Sequence, residues 1–190
     1  LLEGDSQPEV RYRKGVRQVP SWRALAKPAR LAALPRASAL VVGLTPVGLS
    51  SARALARAPG LAVSLIFDPS ASPQPLRDAL AQLEQSGVVT TFEANPTSVS
   101  ELAPVIERIQ RQTGRIRALV LAAPEPAPLP LRDATESDIE VGVAAQIQGL
   151  LALEQVLPLE GVELSIVHSS LDARLGSPGF AERSVVRRIA

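Results

Sequence analysis

Cysteine is absent from all 190 residues, and so is methionine. Without thiols there is no disulfide framework and no thiolate to act as nucleophile or metal ligand. A single histidine is too little for a zinc site of the usual ligand set, so no metal is expected. Aromatic residues make up 3% of the chain, and the only tyrosine is Tyr12. An excess of charge of one sign is missing too: the net value is +1, which gives no field directed at nucleic acid or an anionic membrane. No apolar run reaches the roughly 18–20 residues that span a bilayer. The first fourteen residues are charged, without the apolar stretch of a signal peptide. These absences lead to the expectation of a soluble, cytoplasmic protein with no nucleic-acid or membrane partner.

What is present suits a buried core. The chain is 46% hydrophobic, mostly Ala, Leu and Val, and its length holds one domain with a short extra element. The sequence stops inside what reads as a helix, as a piece of a longer chain would. The rest is organised around residues 37–60, ASALVVGLTPVGLSSARALARAPG. This stretch reads as an apolar strand over 39–42, a tight loop opening at Gly43, and a helix over about 49–58. A dinucleotide-binding βαβ unit begins in this way. A phosphate cradle, however, uses several glycines so that backbone N–H groups approach the anion without Cβ atoms in between. Here only Gly43 and Gly48 remain, and Pro46 removes a donor.

Residues 1–36 differ in character from the rest. Within EVRYRKGVRQVP (9–20), strand-like stretches at 10–13 and 16–19 flank a Lys14-Gly15 turn and predict a hairpin. Its surface is basic, with Arg11, Arg13, Lys14 and Arg17; such charges commonly keep an edge from pairing with other strands. Trp22 is expected to pack on the domain, and 24–36, with Pro28 and Pro35, reads as linker. From residue 38 onward strand and helix alternate. Strands are expected at 61–67, 88–94, 117–123 and 162–169. Helices are expected at 75–86, at 98–112 with a Ser98/Glu101 capping box and a Gly114 stop, at 136–156, and from 178. Near-continuous apolar strands between helices predict an α/β fold, a Rossmann-like doubly wound parallel sheet covered on both faces. Ligands in such sheets sit at the carboxyl ends of the strands, here the loops 43–48, 68–72, 94–97, 122–128 and 169–179.

Those loops, with the phrases EVRYRKGVRQVP and SWRAL, ALVVGLTPVGL, ALVLAAP, LRDATESDIEVGVAAQIQGLLALEQ and SIVHSSLDARLGSPGFAERSVVRRIA, resemble the short-chain dehydrogenase/reductase fold. More narrowly they resemble the ketoreductase domain of type I modular polyketide synthases. The resemblance makes 1–36 a hairpin and linker from a structural subdomain, and 37–190 a Rossmann-like domain truncated at its C-terminus. It implies ketone reduction by NADPH with a tyrosine acid, a lysine that lowers its pKa, a serine on the carbonyl and an asparagine on a relay water. Ser170 matches the serine. Arg183, thirteen residues on, stands at the tyrosine position, and Arg187, four further, at the asparagine position. Gln146 stands at the lysine position. An arginine does not give up its proton near neutral pH, and glutamine has no charge with which to tune an acid. On the cofactor side Asp68 replaces the basic partner of the 2′-phosphate, Asn95 an aspartate near the adenine, and Pro124 a glycine after the fourth strand. Gly43 and Gly48 are what is left of the glycine-rich loop.

Several residues admit two readings. Asp68, 25 residues after Gly43, can hold a ribose 2′-OH of NAD, or Asp68-Pro69-Ser70 can be a turn. His168 and Ser170, two apart, form a hydrolase-like pair, yet no glycine flanks the serine as a nucleophile elbow requires. Arg183, Arg187 and Arg188 on one helix side can clamp a carrier's phosphopantetheine, or lie on a solvated face paired with Glu182. The reading the sequence favours is a non-catalytic, pseudo-ketoreductase domain with no cofactor, packed against neighbouring dehydratase, methyltransferase, enoylreductase or carrier-protein domains. A homodimer through the parent chain stays open. The alternatives are an active NADPH-dependent β-ketoacyl reductase and a dinucleotide-binding or epimerising module without net reduction.

Overall fold

Five strands of Val, Leu, Ile and Ala assemble the body of the protein. The structure, a computed structural model, describes residues 10–19, 21, 23–24, 37–85, 87–123, 129–130 and 132–168. The chain divides into two units, Leu1–Ala32 and Ala33–Ala190. Trp22, most of the expected linker and the helix expected from 178 lie outside the described residues.

In the first unit β1 (Arg11–Arg13) and β2 (Val16–Gln18) pair antiparallel. Lys14 and Gly15 both take positive φ, 51° and 76°, as a two-residue turn that matches strand twist demands. The four basic residues do not share one surface. Tyr12 pairs with Arg17 on one side of the ribbon, while Arg11 and Arg13, opposite Gln18 and Val16, fall on the other.

The second unit runs β3 (Ser38–Val42), α1 (Pro46–Leu55), β4 (Ala62–Phe67), α2 (Gln74–Gln85), β5 (Val89–Glu93), α3 (Val99–Thr113), β6 (Ile116–Leu121), α4 (Glu136–Val156) and β7 (Leu164–Val167). The strands form one parallel sheet in the order β5-β4-β3-β6-β7. The chain reverses direction across the sheet between β3 and β6, the place where such sheets open a crevice. Side chains of a strand alternate in direction. Leu40 and Val42 therefore join Ile106 and Leu153 in a core under α3 and α4, while Ala39 and Val41 join Leu49 and Leu80 in a core under α1 and α2. Both sheet faces are covered, as the continuous apolar strands predict.

Some boundaries differ from expectation for local reasons. Helix α1 begins at Pro46, not 49, because a proline at the first helical position loses no hydrogen bond, and Thr45 caps it. β7 begins at 164 rather than 162 because Leu159–Gly161 make a 3-10 turn whose last bond, Val162 N–H to Leu159 O at 2.9 Å, holds the chain back from the sheet. The strand expected at 117–123 is shifted to Ile116–Leu121. Only half of the expected capping box on α3 forms. Ser98 Oγ accepts from Glu101 N–H at 3.4 Å, but the Glu101 carboxylate reaches past the cap to Asn95 N–H at 2.8 Å. Ser98 N–H is already held by Asn95 O. Helix α4 has the predicted bounds. Among the described residues no helix is long and apolar enough to cross a membrane.

Candidate functional site

The carboxyl ends of β3, β4, β5 and β6 surround a cavity of about 290 Å³. Val42 and Gly43 come from the end of β3, Asp68 and Ser72 from β4, Asn95 and Thr97 from β5, and Leu121 and Ala123 from β6. Gly149 of α4 closes one side. Four of the five loops singled out in the sequence thus meet here. The fifth, with Ser170, lies outside the described residues, as do Pro124, Arg183, Arg187 and Arg188. Gln146 belongs to α4.

Gly43 and Gly48 are held by packing. Gly43 has φ +106°, and a Cβ on it would stand 2.1 Å from Ala122 O. A Cβ on Gly48 would stand 2.2 Å from Gly43 O. No side chain can occupy a position under 3.0 Å from backbone, so both glycines are required by the approach of β3, β6 and α1 to one another. Their presence is explained without a ligand.

The first turn of α1 is where an anion would meet backbone donors and the positive end of the helix. Pro46, at the first helical position, has no N–H. The Gly48 N–H donates to Thr45 Oγ1 at 3.0 Å. The Leu49 N–H makes the first intrahelical bond, to Thr45 O at 2.8 Å. At the first three helical positions Val47 alone keeps an N–H without an acceptor among the described residues. Leu44 is buried against the core of α1 and α2. A dinucleotide diphosphate is held by several such donors together.

Asp68 sits on the cavity rim but is turned onto its own loop. Its Oδ1 accepts from Ser70 N–H at 2.8 Å and Ser70 Oγ–H at 2.6 Å. The Ser70 hydroxyl bond holds the carboxyl below its usual range, against a smaller opposing effect of burial. It is anionic at neutral pH. Ser72 Oγ donates to Asp68 O at 2.7 Å, and Arg77 Nη1 to Pro69 O at 2.8 Å, which fixes the same loop. The turn reading of Asp68-Pro69-Ser70 therefore describes its bonds, and its position leaves it facing the crevice. Asn95 is engaged in the same manner: its Oδ1 accepts from Thr97 N–H at 2.9 Å and from Thr97 Oγ–H at 2.8 Å. His168, at the end of β7, has Nε2 3.2 Å from Ser51 Oγ on α1. The sequence singled out Ser170 as its partner; Ser51 carried no signal, because a serine next to Ser50 in an amphipathic helix looks like any other surface residue. No group of three or more His, Asp or Glu that could hold a metal occurs among the described residues.

The family model described as KR domain matches residues 37–185. Solved structures are similar in fold. A ketoreductase domain from the bacillaene assembly line is 17% identical, with TM-score 0.73, over 93% of this chain and 43% of that one. A short-chain dehydrogenase/reductase titled glucose/ribitol dehydrogenase, from Brucella melitensis, is 17% identical, with TM-score 0.67, over 83% and 66%. A short chain dehydrogenase from Mycobacterium paratuberculosis, bound to NAD, is 18% identical, with TM-score 0.68, over 83% and 64%. The chain spans less than two thirds of the length of each. No curated protein matches the sequence. At these identities the solved structures speak to the fold, a short-chain dehydrogenase/reductase-type sheet with its crevice at the strand ends. The family match covers most of the second unit, and by it this chain belongs to the KR domain family.

Proposed function

We propose that the chain is a ketoreductase-like domain of a polyketide synthase module that does not itself reduce a ketone and serves as a structural block for neighbouring domains. The observation that carries this reading is the first turn of α1, where Pro46 lacks an N–H and the Gly48 N–H is taken by Thr45. A nicotinamide cofactor anchors by its diphosphate, and without that anchor no hydride donor is held at the crevice. Asp68 adds a fixed negative charge on the same rim, unfavourable to a 2′-phosphate. Gln146, Arg183 and Arg187 at the positions where the resemblance puts lysine, tyrosine and asparagine point the same way. Thr45, Pro46 and Asp68 are not members of the two apolar cores, so the frame keeps its stability without the chemistry. Such a block would offer its surfaces to dehydratase, methyltransferase, enoylreductase or carrier-protein domains of the same assembly.

One observation favours the alternative of an active NADPH-dependent reductase, or of a dinucleotide-binding or epimerising module: the crevice at the strand ends is open. Titration with NADPH and with NAD, followed by fluorescence or calorimetry, together with a decalone reduction assay, separates the readings. Neither cofactor is expected to bind at low micromolar concentration, and no decalone is expected to turn over. Low-micromolar binding of either cofactor, or turnover, overturns the structural reading.

A further inference from the structure

We infer that the cavity at the strand ends is a binding pocket for a small uncharged ring compound, and that Gly149 is the residue that keeps it open. This goes beyond the structural reading above, since it concerns what the cavity holds and not whether a ketone is reduced. Gly149 lies in the interior of α4 and is buried. Ala152 and Leu153, three and four positions on, are buried in the core under α3 and α4, so all three share the inward side of the helix. A side chain is expected at such a position, because close-packed interiors leave few voids. Gly149 instead borders the cavity of about 290 Å³. Nothing in the fold asks for a glycine there. Its φ is not positive, and a Cβ would meet Pro96 O at 3.8 Å, an ordinary contact. Gly43 and Gly48 differ, since a Cβ on either would stand within 2.2 Å of backbone. Glycine inside a helix is less stable than alanine. The missing side chain therefore weakens the frame and leaves space, and space is what a ligand uses.

The walls decide what fits. Val42, Leu44, Ala71, Pro96, Leu121 and Ala123 give an apolar lining. The polar side chains around it are those of Asp68, Ser72, Asn95 and Thr97. Asp68 Oδ1 accepts from Ser70, Ser72 Oγ donates to Asp68 O, and Asn95 Oδ1 accepts from the N–H and the hydroxyl of Thr97. These bonds close on their own loops, so the cavity presents mostly carbon to a guest. Among the described residues no basic side chain lines it, and Asp68 is anionic. An anionic guest meets no side chain of opposite charge there, whereas an uncharged apolar one gains by leaving water. The volume stands at the lower end of small-molecule pockets, which suits a compact ring compound rather than a dinucleotide.

The test uses N-phenyl-1-naphthylamine, an uncharged probe whose fluorescence rises in apolar surroundings, with the chain titrated into a fixed, dilute amount of it. The wild-type chain is expected to bind the probe with a Kd of about 10–100 μM, as a compact apolar ligand without polar anchors does. Gly149→Leu, which puts a side chain into the cavity, is expected to weaken binding at least about tenfold. Gly149→Ala is expected to raise the melting temperature by about 2–4 °C and to weaken binding about threefold. It carries the test should the leucine variant not fold by circular dichroism. Leu151→Ala trims an exposed apolar residue of the same helix outside the cavity and is expected to leave binding unchanged. The inference is overturned by no fluorescence rise at about 500 μM protein, by a folded Gly149→Leu variant that binds as the wild type does, or by a Gly149→Ala variant that melts lower, since packing would then require the glycine. It is overturned as well if Leu151→Ala weakens binding as much as Gly149→Leu, which would mean adsorption to the outer surface. Binding of NADPH or NAD at low micromolar concentration sinks the structural reading and leaves this inference standing; a bound probe indifferent to Gly149 sinks this inference alone.

Discussion

Ser64 lies in the middle of β4 at 1% exposure, and its Oγ has no hydrogen-bond partner among the described residues. The hydroxyl left water on folding and gained nothing in return, a condition that costs about 1–3 kcal/mol. It shares the face of Ile66, towards the core under α3 and α4. Ser64→Ala removes the orphan group without adding volume. The variant is expected to be more stable by about 1 kcal/mol, a rise in melting temperature of about 2–4 °C for a chain of this size. A thermal melt checks it, and an unchanged or lower midpoint would show that the hydroxyl has a partner after all. At this scale the sequence was legible only in part. Gly43 and Gly48 stand out in it as the remains of a phosphate loop, whereas their backbone distances explain them by packing. Thr45 did not stand out, because its role exists only once the helix is known to start at Pro46.

Helix α4 was legible to the residue and α1 was not, for one physical reason. The start of α4 is written in side chains. Thr135 N–H donates to Asp138 Oδ2 at 2.9 Å, Asp138 N–H donates to Thr135 Oγ1 at 3.2 Å, and the pattern Thr-x-x-Asp announces the box before an apolar run. The start of α1 is written in a proline, which in sequence reads as an end of helix as readily as a beginning. The start of β7 was obscured by the 3-10 turn at Leu159–Gly161, which runs directly into Val162. The α4 cap also titrates. The Thr135 hydroxyl first, and its N–H second, hold the Asp138 carboxyl below its ordinary 3.8. A carboxylate whose folded pKa is depressed contributes stability above its unfolded pKa and loses that contribution as pH falls through the folded value. Between about pH 5 and pH 2 the wild-type chain is therefore expected to lose stability more steeply than Asp138→Asn, and the two curves converge at the acid end. Urea unfolding at stepped pH measures the slopes; parallel curves would mean that the cap carries no pH dependence.

The whole second unit follows from a rule that needs no individual contact. Apolar strands alternating with helices give a parallel sheet, and a parallel sheet gathers its loops at one end. That is why the loops at Gly43, Asp68, Asn95 and Ala122 could be named together before any distance was known, while the orientation of Asp68 and Asn95 onto Ser70 and Thr97 could not. Among the described residues, the two cores of the second unit are built from positions between Ala39 and Leu164. A two-stranded hairpin with Tyr12 66% exposed and Val16 60% exposed has no core of its own, and such ribbons are marginal in water. Residues 33–190 expressed alone are accordingly expected to unfold cooperatively, within about 1 kcal/mol of the full chain, as changes outside the core usually do. A peptide of residues 1–32 is expected to show no stable hairpin by circular dichroism. The opposite result, a 33–190 fragment that melts without cooperativity or loses several kcal/mol, would mean that the first unit completes the fold of the second.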